Sequence, residues 1–323
     1  MTDPMSERRP TVTVGVPVLN GERWLRETLD HLSSQTLTDF EVVISDNAST
    51  DATPEIVNEF AQRDPRFIAT RTGERLSVVS NHNRTLELAR GEYFMWNASD
   101  DRARPRHLEA CTAALDTHPE VIAAFSRMAH IDESGELLAN FEDANLDCTG
   151  LTPDQRVALL LHHQAFQLVL CGGVMRTADL RRLGGLPPGW GGDFVLGVMV
   201  AIRAPWIQVP EVLYEERFHT NKLSDTFRTD LGEQLRNFDP GHKGIVAFPE
   251  WTSIRRMIAA SLGAPAPRSV RLRAAVAVVT EHAIPGRDRL MFDLKRNAIF
   301  LARRLRRRLG ELLSADRITP SGR

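Results

Sequence analysis

The stretch Glu92-Tyr-Phe-Met-Trp-Asn-Ala-Ser-Asp100-Asp101 runs from a short apolar segment straight into two adjacent carboxylates. Tyr93 to Asn97 has the length and aromatic content of a buried strand, and the polar residues that close it are turn formers. The same punctuation recurs upstream. Thr11 to Leu19 closes in Pro17-Val-Leu-Asn20-Gly21-Glu22, and Phe40 to Ser45 closes in Ser45-Asp46-Asn47-Ala-Ser49-Thr50-Asp51. Arg66 to Thr70 and Val121 to Ala129 read as further strands. Between them, Arg23 to Gln35 carries Trp24, Leu25, Leu29 and Leu32 at helical spacing, and Thr53-Pro54-Glu55 reads as an N-cap with proline at the first helical position. Val78 to Ala89 and Pro105 to His118 complete the helices. This alternation predicts right-handed βαβ units, hence an α/β fold with a mostly parallel central sheet and helices on both faces. Ligands bind such sheets outside the carboxyl ends of the strands. The polar loops quoted above therefore belong to one edge, as a shallow crevice with several carboxylates.

Beyond Ala129 the pattern is less regular. Ser134-Gly135 reads as a hairpin turn, Thr152 to His162 as a short helix, and Gly189-Trp190-Gly191-Gly192-Asp193 as a loop before a buried helix, Phe194 to Arg203. Pro205 to Arg217 carries one or two strands. No periodicity shows from Phe227 to Glu250, so residues 227–267 are expected as linker or mobile region. Residues 268–323 read as a helical, increasingly basic tail, and Met1 to Pro10 as a disordered leader.

At 42% hydrophobic, 25% charged and a formal net charge of -2, the 323 residues have the balance of a soluble globular protein and not of a nucleic-acid binder. Cys111, Cys148 and Cys171 are widely spaced and odd in number, which fits neither a disulfide framework nor a zinc ribbon; a reducing cytoplasm is the default. No segment reaches the roughly 18 uninterrupted apolar residues of a transmembrane helix. Membrane contact would be peripheral, at the inner face, through the tail. There Gly286 to Arg308 holds nine basic residues against Asp288 and Asp293, and Leu294, Ala298, Leu301, Leu305, Leu309 and Leu312 form an apolar stripe beside them. An anionic bilayer surface suits that arrangement. Packing on the rest of the chain, or on a second subunit in a homo-oligomer, suits it as well.

A divalent cation such as Mg²⁺ or Mn²⁺ prefers oxygen ligands, commonly takes one or two protein carboxylates, and fills its other positions with water and substrate phosphate. Asp100 and Asp101 have the chemistry for that. An isolated Asp-Asp pair also serves to cap a helix, here the one beginning near Pro105, or to face solvent. Asp46 at a neighbouring strand end favours the cation.

The segments Val16-Pro-Val-Leu-Asn-Gly-Glu22, Phe40-Glu-Val-Val-Ile-Ser-Asp-Asn-Ala-Ser-Thr-Asp51 and Ala89-Arg-Gly-Glu-Tyr-Phe-Met-Trp-Asn-Ala-Ser-Asp-Asp101 follow one another in the order of the motifs of family 2 glycosyltransferases. The chain resembles that family over residues 11–220. The resemblance implies a nucleotide-diphospho-sugar transferase (GT-A-like) fold, with a nucleotide-sugar half at 11–129 and an acceptor half at 130–226. It also implies inverting transfer of a sugar from a UDP, dTDP or GDP donor to a hydroxyl acceptor, with Mg²⁺ or Mn²⁺. Carried over residue by residue, Asp46 accepts a hydrogen bond from the nucleotide base, with Asn47 beside it, and Pro17, Asn20 and Glu22 line the first loop. Asp100 is the direct metal ligand, supported by Asp101 and flanked by Ser99. Asn83 and Arg84 reach toward phosphate, Arg217, His219 or Lys222 closes over the diphosphate, and Asp193 is the general base. Trp190 offers an apolar face to an acceptor sugar or packs in a loop.

The chain departs from the family at Ala98, which stands where the first aspartate of the usual Asp-x-Asp belongs. Contact with the ribose is thereby in doubt, with Asn97 and Ser99 as the neighbouring replacements. Two other readings stay open. A sugar nucleotidyltransferase would share the fold class, but Leu19 to Arg23 is short and acidic for cradling a triphosphate. A sugar-nucleotide-binding protein without turnover is favoured by Ala98 and opposed by the joint presence of Asp46, Asp100 and Asp193.

Overall fold

A computed structural model of the chain describes residues 9–138, 145–164, 172–219, 238, 248–295 and 297–298. Its elements in order are β1 (Val12–Val18), α1 (Leu25–Ser33), β2 (Phe40–Asp46), α2 (Thr53–Arg63), β3 (Phe67–Arg71), α3 (Val78–Leu88), β4 (Tyr93–Trp96), β5 (Arg102–Ala103), α4 (His107–Thr117) and β6 (Ala123–Ile131). There follow α5 (Pro153–His162), β7 (Val174–Arg176), α6 (Thr177–Arg182), α7 (Gly192–Arg203), β8 (Trp206–Arg217), α8 (Pro249–Gly263) and α9 (Arg268–Ala277), which runs into a π-helical turn at Val278–Ala283.

β1 and β2 are buried on both faces, as strands in the middle of a parallel sheet must be. Alternate valines fill one face of β1. On the other, the Thr13 hydroxyl bonds Glu41 at 2.7 Å, and Gly15 lets α3 come into contact, since a Cβ there would overlap the Thr85 side chain. The sheet runs β3-β2-β1-β4-β7-β6-β8-β5. β3, β2, β1 and β4 are parallel; β7 is antiparallel to both β4 and β6; β8 runs parallel to β6, and β5 antiparallel to β8. The mainly parallel α/β sheet expected from the sequence is present.

Some local expectations change. Thr53 is the first residue of α2 and not its cap; Ala52 takes the capping position, and Asp51 accepts the Thr53 amide at 3.0 Å. The Ser134-Gly135 turn closes on Asp132, whose carboxylate takes the amides of Ser134 and Glu136. Where linker was expected, Pro249–Gly263 is helical: Ile254 and Met257 are buried and α8 packs on α7. Cys171, Lys222, most of the leader, the 220–237 stretch and the tail beyond position 298 lie outside the described residues. Among the described residues, no helix is long and apolar enough to cross a membrane.

Candidate active site

After β4 the chain turns through Asp100 and Asp101 into β5, which pairs with the far end of β8, Arg102 opposite Glu215. The two carboxylates part company there. Asp101 is 2% exposed; its Oδ1 accepts the Arg217 amide at 2.9 Å and its Oδ2 the Tyr214 hydroxyl at 3.2 Å. It ties the turn to β8 and caps no helix, because α4 has Arg106 in its capping position. Asp100 is less enclosed, with Oδ2 2.8 Å from His219 Nε2. The His219 ring lies against Trp24, centroids 4.2 Å apart, and its Nδ1 is buried with no hydrogen-bond partner. In the neutral ring the proton therefore belongs on Nε2, donated to Asp100.

Arg217 corrects an expectation. Its side chain is 1% exposed and surrounded by protein acceptors: Nε donates to the Asp100 carbonyl at 2.9 Å, Nη1 to the carbonyls of Asp132 and Glu133 at 3.1 and 3.2 Å, and Nη2 to Glu27 at 2.6 Å. Glu27 also pairs with Arg102. Arg217 holds the turn that carries Asp100 and does not reach outward to a diphosphate.

Asp46 ends β2 nearly buried, its Oδ1 accepting the Ser49 amide at 3.0 Å and its Oδ2 the Arg71 guanidinium at 2.8 Å. Asn47 is occupied by structure: both ends of its amide clasp Leu76, at 3.0 and 2.7 Å, which fixes the β3–α3 connection. Asn83 does the same for Leu186, at 2.8 Å from each end, so it holds the loop leading to Asp193 instead of facing phosphate. Arg84 is different. It bonds the hydroxyls of Ser45 at 2.9 Å and Thr70 at 2.6 Å, and among the described residues no carboxylate neutralises it.

The first two loops are stitched together. Asn20, at φ 53, takes the Thr50 amide at 2.9 Å, and Glu22 takes the Ala52 amide at 3.0 Å. Pro17 lies within β1 opposite Ser45. Asn97 is fully buried, donating to the Ala98 carbonyl at 2.7 Å, so it is no surface replacement for the missing aspartate. Ser99 and Ala98 are half-buried, and the Ser99 carbonyl accepts the Thr28 hydroxyl at 3.1 Å.

Across α3, Gly191 caps α7 in the left-handed region at φ 67, and Asp193 stands in the first turn instead of at the cap. The backbone amides of Phe194 and of Asp193 itself favour the charged carboxylate. Burial is the larger influence and raises its pKa above the ordinary carboxylate value. No ion pair with a described residue offsets this. Sequence reading missed Arg71, and missed Glu27 and Arg102, which form one ionic group with Arg217. Arg71 carried a faint signal, as the last residue of a strand beside the one ending in Asp46. The others join positions too distant in sequence for spacing to reveal.

A family model described as Glycosyl transferase family 2 matches residues 13–163. An uncharacterized glycosyltransferase of Methanocaldococcus jannaschii is 29% identical over 136 residues, 42% of this chain and 47% of that protein. The chondroitin synthase of Escherichia coli is 29% identical over 136 residues, 42% of this chain and 19% of its own length. The chain thus spans less than half the length of these relatives. Among solved structures, S. aureus TarS (residues 1–349) in complex with UDP-GlcNAc superposes with a TM-score of 0.66 at 17% identity, over 88% of this chain and 79% of that one. The fold is therefore shared with TarS, and the loops that close β1, β2 and β4 lie within residues 13–163, the part of the chain that resembles glycosyl transferase family 2.

Proposed function

We propose that this chain moves a sugar from a nucleotide-diphospho-sugar to a hydroxyl acceptor, with inversion at the anomeric carbon and Asp193 as the general base. The observation that carries the reading is the Asp193 carboxyl, half-buried in the first turn of α7, with its pKa raised by burial. The match to glycosyl transferase family 2 over residues 13–163 supports sugar transfer from a nucleotide donor, and the TarS complex makes UDP-sugars the first donors to try. In the reaction the acceptor oxygen attacks the anomeric carbon, Asp193 takes the hydroxyl proton, and the nucleotide diphosphate leaves from the opposite face, so a single displacement inverts the centre. Asp46 would accept an N–H from uracil, thymine or guanine, and Arg84, which no carboxylate among the described residues neutralises, brings positive charge to the same strand ends.

The residues fit a divalent cation held jointly with the donor. Among the described residues no group of three or more His, Cys, Asp or Glu gathers as a complete cage. Asp100 would hold such an ion, oriented by its hydrogen bond from His219, and Mg²⁺ or Mn²⁺ would take the rest of its shell from water and phosphate. When bound, such an ion neutralises charge on the departing diphosphate. Asp101, with both oxygens engaged by Arg217 and Tyr214, acts behind Asp100. A second reading, donor binding without turnover, is favoured by Ala98.

The test is nucleotide diphosphate release from UDP-, dTDP- and GDP-sugars with Mn²⁺ and a panel of hydroxyl acceptors. Asp193→Asn keeps an oxygen for the Phe194 amide and should bind donor as the wild type does, yet lose about a hundredfold or more in rate. Near-normal transfer by a folded Asp193→Asn enzyme would remove the base assignment. Tight donor binding by the wild type with no release under any acceptor would establish the second reading.

A further inference from the structure

Helix α1 reaches the turn that carries Asp100 through Trp24, at its capping position, and through Glu27 and Thr28, three and four residues further on. The Thr28 hydroxyl bonds the carbonyls of Ser99 at 3.1 Å and Asp101 at 2.9 Å, and Glu27 holds the Arg217 guanidinium that bonds the Asp100 carbonyl. These contacts fix the backbone of the turn. The Asp100 carboxylate is reached by another route, through His219 Nε2 at 2.8 Å from its Oδ2.

A histidine serving a metal site is ordinarily fixed by a hydrogen bond at its second ring nitrogen. The Nδ1 of His219 is buried and makes no such bond. What meets the ring is the Trp24 indole, with centroids 4.2 Å and planes 36° apart. The Arg217 guanidinium carbon lies 5.8 Å from the centroid of the same indole, so alternate residues at the end of β8 both meet it. Trp24 is tied down in turn. Its Nε1 donates to the Glu133 carbonyl at 3.3 Å, and the Arg23 guanidinium, 4.3 Å from the ring centroid, pairs with the Glu133 carboxylate at 2.7 Å.

We infer that Trp24 is a positioning residue for the cation side of the site: its indole sets the plane of the His219 ring and, through the Nε2–H bond, the direction of the Asp100 carboxylate. This deepens the proposed function and rests on its assignment of Asp100 as the cation ligand. Histidine χ2 has a broad, shallow preference, so a ring bonded at one nitrogen needs a second surface to hold its angle, and an aromatic face supplies one. An aliphatic side chain at residue 24 would still cover the ring but present no plane to it.

The orientation is read without donor or metal. Protein with ¹⁵N-labelled histidine is observed by NMR in mildly alkaline solution, His219 being identified by its loss in His219→Gln. Wild type should show the Nε2–H tautomer with a proton protected from exchange by its bond to Asp100. Trp24→Phe keeps a ring and should keep that signal. Trp24→Leu should lose the protection and mix the tautomers, and Trp24→Met takes its place should the leucine variant not fold. Mn²⁺ binding in the presence of UDP, followed by the EPR signal of the free ion, should weaken roughly tenfold in Trp24→Leu and little in Trp24→Phe. A His219 signal in Trp24→Leu unchanged from wild type, or a changed signal with unchanged Mn²⁺ affinity, overturns the inference. If wild type binds no Mn²⁺, the cation leaves the proposed function, and the NMR comparison alone upholds or overturns the orientation of His219 by Trp24.

Discussion

Asp100 and Asp101 are neighbours in sequence with opposite surroundings, and substitution should separate them. Asp100→Asn should remove Mn²⁺-dependent donor turnover while leaving the urea midpoint close to wild type, because the contact that fixes residue 100 is made by its backbone carbonyl with Arg217. Asp101→Asn should do the reverse. It leaves the Arg217 amide and Tyr214 hydroxyl with a weaker partner and should cost roughly 1–3 kcal/mol of stability, read from urea unfolding, with a smaller direct effect on cation affinity. Stable Asp101→Asn protein that no longer responds to Mn²⁺ would mean that Asp101 is a ligand after all. Arg217 shows the limit of reading residues singly. An arginine followed by histidine after a late strand looks like a phosphate contact, and only burial, which spacing does not encode, reveals a guanidinium turned inward onto Glu27 and the carbonyls of Asp132 and Glu133.

The sequence was most legible where elements alternate. Each strand from β1 to β4, and each helix between them, follows from a periodic apolar pattern closed by turn residues, and the polar strand ends fall where such a sheet binds ligands. Legibility fails at α8, where Ile254, Met257 and Ile258 share their turns with Arg255 and Arg256 and only a narrow seam is buried. That seam is what the α7 loop requires. Gly191 occupies the left-handed region and abuts the Ser253 hydroxyl, a buried group with no hydrogen-bond partner. Gly191→Ala should therefore destabilise by about 2 kcal/mol, half from backbone strain and half from overlap. Ser253→Ala should be neutral or slightly stabilising, since it removes an unsatisfied polar atom. Combined, the two should lose less than their sum, as a double-mutant cycle in urea would register. Strict additivity would show that α8 does not press on this loop.

At the scale of the whole molecule, exposed apolar side chains are unevenly placed. Of the thirteen large exposed hydrophobics among the described residues, ten lie between Phe248 and Leu294. Leu272, Val276 and Val279 follow one another at helical spacing with 48, 58 and 39% exposure. With Arg268, Arg287 and Lys295 nearby in sequence, this end of the molecule has the composition of an interfacial surface. The proposal that it attaches peripherally to an anionic membrane predicts that the full chain sediments with phosphatidylglycerol vesicles at low salt and is released as salt rises. A chain bearing Leu272→Ser, Val276→Ser and Val279→Ser should stay in the supernatant. If the unaltered chain also stays there, the face serves packing or a second subunit.

The Glu27–Arg217 pair closes a circuit of 190 residues in the chain. The entropy of closing a circuit grows only with the logarithm of its length, so doubling it would cost only about 0.6 kcal/mol more. Segments between these two residues can therefore lengthen, shorten or be exchanged at little expense to the clamp that fixes Asp100. The donor end can stay constant while the loops around it are free to diverge.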